Sequence, residues 1–119
     1  MTTQLIHLYR PVGRQSYRDG WAHLNPSEYV CSVKATAPEV VRERDWDEPS
    51  DGGAYVQYAR IPAGASKRDK RHILDAIRAL GGSGCRHEYD CCGCRSTHFR
   101  AKFISSRQVR IEFSVSFNY

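Results

Sequence analysis

The segment Cys85-Arg-His87-Glu-Tyr-Asp-Cys91-Cys92-Gly-Cys94-Arg-Ser-Thr-His98 holds four of the chain's five cysteines. Thiolates and imidazoles are the ligand types that zinc prefers. Cys91 and Cys94 have CxxC spacing, and a tight turn through Gly93 can aim both sulfurs at one ion. Cys85 and His98 would complete a Cys3His tetrahedron. Cys85, His87, Cys92 and Cys94 form a second candidate set. There is no second CxxC, so the first pair is better supported than the full ligand list. Four protein ligands leave no open position, so the expected zinc ion is structural, a staple for the 81–98 loop. A redox loop and plain reduced thiols are the competing readings. Disulfide geometry disfavours a bond between the adjacent Cys91 and Cys92, and a reducing compartment disfavours disulfides in general.

Catalytic readings fare worse. His87-Glu88 stands beside cysteines, but a zinc deaminase needs His-x-Glu followed by Pro-Cys-x-x-Cys, and neither is present. A thiol triad can be drawn through Cys92 or Cys94, His98 and Asp90, as in any cysteine-rich loop. No phosphate-binding loop, dinucleotide fingerprint or nucleophile elbow occurs. The chain is expected not to be an enzyme, and a small-molecule substrate is not expected. The alternative is a small zinc-dependent or redox-active thiol enzyme.

A second chemistry is that of charge. Lys and Arg total 18 against 13 Asp and Glu, for a net charge of +5. Residues 39–51 carry six acids and two bases, whereas residues 53–119 carry twelve bases and five acids. Such a basic body attracts nucleic acid or an acidic protein surface, and a plain solvated surface is the competing reading. Lys67, Arg68, Lys70 and Arg71 crowd the start of a predicted helix, where cations oppose the macrodipole unless an anion docks there. Arg100, Lys102 and Arg110 lie on the outward faces of two predicted strands. The last strand has no outward aromatic residue, which argues against a base-stacking sheet of the RNA-recognition type. Trp46, set among charges in Arg44-Asp-Trp-Asp-Glu48, either folds back onto the core or anchors a partner.

These residues need elements to position them. Residues 3–9 read as a short, mostly buried strand. In 28–36, Tyr29, Cys31, Val33 and Ala35 alternate with polar residues, which makes a half-buried strand stopped by Pro38. Residues 38–53 read as an exposed acidic loop with a helical turn at Glu39–Arg44. Residues 54–61 make a third strand. Ser66 and Asp69 start a helix over 66–80 with a capping-box pattern. Ile73, Ile77 and Leu80 form its apolar stripe, and Gly81 and Gly82 supply a left-handed stop. Phe99, Ala101 and Phe103, then Val109, Ile111, Phe113, Val115 and Phe117, alternate on two strands joined through Ser105–Gln108. The expected fold is α+β: an antiparallel sheet of about five strands, ordered β-β-β-α-β-β, with one helix on one face.

At 119 residues the chain is expected to form one domain, 1–119. No apolar run reaches the roughly 20 residues that span a bilayer, and the N-terminus lacks signal-peptide features. A cytoplasmic location is expected, with no membrane partner. In size and Arg-rich composition the chain is similar to the small accessory proteins of phages and mobile elements. Some of these inhibit nucleic-acid-guided host defences, in the anti-CRISPR manner. That resemblance implies a non-catalytic binder of nucleic acid or of a nucleoprotein or protein complex, with inhibition of a defence complex as one biological version.

Overall fold

A computed structural model describes residues 3–16, 24–42, 51–85 and 94–118. The elements are β1 (Thr3–Pro11), β2 (Ser27–Thr36), β3 (Glu39–Arg42), β4 (Asp51–Arg60), α1 (Lys67–Arg78), β5 (Gly82–Cys85), β6 (Cys94–Phe103) and β7 (Gln108–Asn118). All pairings are antiparallel, in the order β1-β2-β4-β7-β6-β5, with β3 as a further strand on β4. Helix α1 covers one face, so the α+β architecture holds, with more strands than the five expected. Among the described residues no helix is long and apolar enough to cross a membrane.

The core forms where α1 meets the sheet. Ile73, Ala76 and Ile77 pack on Leu8, Val33, Ala35, Ala59, Ile61, Val109 and Ile111. The period of two along each strand puts these residues on one face and leaves the intervening polar residues outside. Ser66 caps the helix as its sequence predicts. Its hydroxyl accepts from the Asp69 amide at 3.1 Å, and the Asp69 carboxylate accepts from the Ser66 amide at 3.0 Å. The 104–107 turn also follows the pattern, closing with a hydrogen bond from the Ile104 amide to the Gln108 carbonyl at 2.9 Å.

Several expectations need correction. Residues 39–42 are strand β3, where a loop with a helical turn was expected. Pro38 bends the chain without ending it: Lys34 and Ala35 pair with Arg60 and Ala59, and β3 then continues along β4 opposite Ala54–Val56. β4 begins at Asp51, opposite Ser116, so the expected acidic loop shrinks to residues outside those described. Likewise, much of the expected 81–98 loop is strand. Gly82–Cys85 pairs with Cys94–Thr97, and backbone ladder bonds hold this glycine-rich edge where side-chain propensity does not.

Tyr29 points outward with the polar residues. A register shift at Leu8/Tyr9 inserts an extra residue in β2, and such a bulge moves every later side chain to the other face. Val30 packs partly against the core instead. β1 is an edge strand with Leu5 and Tyr9 exposed, not a mostly buried one. Leu80 is exposed too, because the helix ends at Arg78. Neither Gly81 nor Gly82 has a positive φ; the helix closes through the Ala79 amide in right-handed geometry. Gly81 is needed for space, since a Cβ there would lie 2.7 Å from the Thr97 carbonyl oxygen.

Candidate nucleic-acid interface

Among the described residues, no helix covers the sheet face opposite α1. Strand register assembles a charged surface there. Lys102 stands opposite Arg110, which stands opposite Tyr58. One row further, Arg100 stands opposite Glu112, which stands opposite Val56. At the end of β4, Arg60 lies between Lys34 and Gln108. Alternation along the strands puts Lys34, Arg60, Arg100, Lys102 and Arg110 on this one face. Glu112 and Glu39, the partner of Val56, are acids on the same face, and Arg110 donates to Glu112 through Nε at 2.9 Å. Five cations against these two acids leave the described face net positive.

An open groove of about 420 Å³ crosses this surface, with His98, Arg100, Arg110, Glu112 and Ser114 among its walls. Residues from β3 and β4, Val41 and Ala54, complete it. The cations stand on strands whose opposite sides are anchored in the core, so the spacing of their backbones is set by the ladder.

The joint between β2 and β4 is short. Two residues pair directly, and Thr36 reinforces them. Its hydroxyl accepts from the Tyr58 amide at 3.0 Å, and its carbonyl accepts from the buried Gln57 side-chain amide at 3.1 Å. This latch holds Lys34 beside Arg60. Alternation within each strand places Arg100, Lys102 and Arg110 outward, but the continuation through Lys34 depends on pairing partners that one strand's alternation does not show.

The predicted helix-start cations belong to a different face. Lys67, Arg68, Lys70 and Arg71 sit at the N-terminus of α1, across the sheet from Arg100, Lys102 and Arg110. Lys70 places its ammonium 5.4 Å from the centre of the Phe103 ring, a cation–π contact that ties it to β6. The seven predicted partner-binding residues that are described therefore stand on two faces. Trp46 lies outside the described residues.

Of the predicted zinc ligands, His87, Cys91 and Cys92 lie outside the described residues. Cys85 and Cys94 are direct partners in the β5–β6 ladder. His98 is on the same strand as Cys94, four residues on, which is about 13 Å of extended chain. With metal bonds of about 2.0–2.3 Å, a cysteine and a histidine on one ion keep their Cα atoms within roughly 11 Å. The strand thus separates His98 from Cys94, and His98 faces the groove instead. Among the described residues, no group of three or more His, Cys, Asp or Glu side chains comes together as a metal site. Cys31, half-buried on the helix side of β2, is a free thiol. Burial, helped by the Asp69 charge, pushes its pKa up and keeps it protonated.

Comparison with known protein families, characterised proteins and solved structures returns no match.

Proposed function

We propose that this protein is a non-catalytic module that binds nucleic acid, alone or within a nucleoprotein complex, through the open face of its sheet. The observation that carries the reading is the register-built array of Lys34, Arg60, Arg100, Lys102 and Arg110 on a face that no helix covers among the described residues. Phosphates spaced along a strand are the polyanion that such rows of cations fit. The helix-start cations add long-range attraction from the other side. Inhibition of a host defence complex is one setting for such a binder.

The test is fluorescence anisotropy with a labelled oligonucleotide over a salt series. Affinity is expected to fall on a log–log plot with a slope of roughly −0.7 per phosphate contacted on a single strand and −0.9 on a duplex. The Lys102→Glu/Arg110→Glu variant should lose binding and flatten the slope while keeping its thermal midpoint. Unchanged affinity in that variant removes the reading.

A structural zinc ion in the Cys85–Cys94 segment is the second part of the proposal. The direct pairing of Cys85 with Cys94 supports it, because this brings the two ends of the segment together. With His98 set apart on β6, Cys85, His87, Cys92 and Cys94 are the proposed ligands, and Cys91 is the alternate. Purified protein should carry about one zinc per chain, and stripping it should lower the melting temperature. Metal analysis that finds well under half occupancy overturns this part.

A further inference from the structure

Resting on the nucleic-acid reading, we propose that Tyr9 and Tyr29 form a base-stacking platform that makes the protein a binder of single-stranded nucleic acid. Alternation after Leu8 puts the Tyr9 ring, and the bulge in β2 puts the Tyr29 ring, on the open side of β1 and β2, the side that also carries Lys34. They meet edge to face, with centroids 5.5 Å apart, and remain 51% and 56% exposed. Leu5, 58% exposed, adds apolar surface on the same side. Two large aromatic rings left this open are surface that a partner's flat apolar face can cover.

The neighbouring polar groups hold the platform still. The Tyr29 hydroxyl and the Ser32 hydroxyl share a hydrogen bond of 2.6 Å, and Ser32 shares another of 2.6 Å with His7 Nδ1. At the outer end, Arg10 is ion-paired with Glu28 on the opposite side of the same two strands, since both residues alternate with the tyrosines. Next to the rings this side offers Lys34, a combination of aromatic surface and cation that suits bases and phosphates.

From Tyr29 to Lys34 the strand runs five residues, about 16 Å. Lys34 then leads through Arg60 onto the cationic rows. A strand a few nucleotides long can stack unpaired bases on the tyrosines and lay its phosphates on Lys34 and Arg60. A duplex keeps its bases paired and stacked inside, so it can use the cations but not the rings.

The test compares an oligothymidylate of roughly 15 nucleotides, within the site sizes of single-strand-binding folds, with a duplex of equal length. Wild-type protein is expected to prefer the single strand. Tyr9→Ala/Tyr29→Ala should weaken single-strand binding about 10-fold to 100-fold and leave duplex affinity within about two-fold, since stacking acts on unpaired bases alone. Tyr9→Phe/Tyr29→Phe keeps the rings and should restore single-strand affinity. Equal wild-type affinity for strand and duplex, or an alanine variant that binds the strand as wild type does, overturns the stacking platform and leaves the cationic reading standing. Absence of wild-type binding to both probes overturns the cationic reading, and the platform with it.

Discussion

Gly81 and Gly82 are neighbours of one residue type with opposite tolerances. A methyl group at Gly81 would press on the Thr97 carbonyl, whereas nothing lies within 4 Å of one at Gly82. Gly81→Ala should cost about 1–3 kcal/mol by denaturant unfolding, and Gly82→Ala much less. The sequence shows that a glycine sits here; that the cause is contact with β6 and not a left-handed turn depends on a neighbour 16 positions away. The Ser66–Asp69 capping box, by contrast, is readable because all its atoms are local. Ser66→Ala should cost about 1 kcal/mol. The Ser66 amide, helped by its hydroxyl, holds the Asp69 carboxyl below the usual range. A carboxylate lowered on folding stabilises the protein above its unfolded pKa, and the effect is lost as pH falls through the folded value. Thermal midpoints of wild type and Asp69→Asn should therefore differ at pH ~7 and draw together as the pH falls below the ordinary Asp pKa and through the lowered folded value.

At the scale of elements, α1 and the β6–β7 hairpin were legible because long, strongly periodic stretches bury one face. Ile77→Ala, at the centre of the helix contact, should cost about 2–5 kcal/mol in the same unfolding measurement. β3 and β5 were not legible. Each has four residues, and pairing with β4 and β6 makes them strands where composition suggests loops. The candidate site was half legible for the same reason. Alternation shows which side of a strand Arg100, Lys102 and Arg110 occupy, but only the ladder shows that Lys34 and Arg60 continue their surface. The bulge that turns Tyr29 outward leaves no mark in composition. The two basic faces also separate by experiment. Arg68→Glu/Arg71→Glu puts acids where the helix dipole favours them. It should leave the melting temperature equal or higher and weaken oligonucleotide binding far less than Lys102→Glu/Arg110→Glu does.

At the scale of the whole molecule, several of the described cations gather towards one end of the sheet. The ends of β3 and β4 that bracket the acidic stretch, and the ends of β5 and β6 that bracket the cysteine segment, lie at one end of the sheet. Arg60, Lys102 and Arg107 lie towards the other, where Arg107 donates to the Ile61 carbonyl and Lys70 rests on Phe103. A polyanion therefore meets the molecule preferentially from the basic end. The β2–β4 joint has a mechanical consequence. β4, β7 and β6 share long ladders, but β1 and β2 join them through two paired residues, the Thr36 latch and the underside of α1. Force applied along the β1–β2 arm is thus carried by helix packing more than by strand pairing. Loosening α1 should release the arm as a unit while the central strands stay closed. In hydrogen exchange on an Ile77→Ala variant, amides of β1 and β2 should lose protection first and those of β7 last.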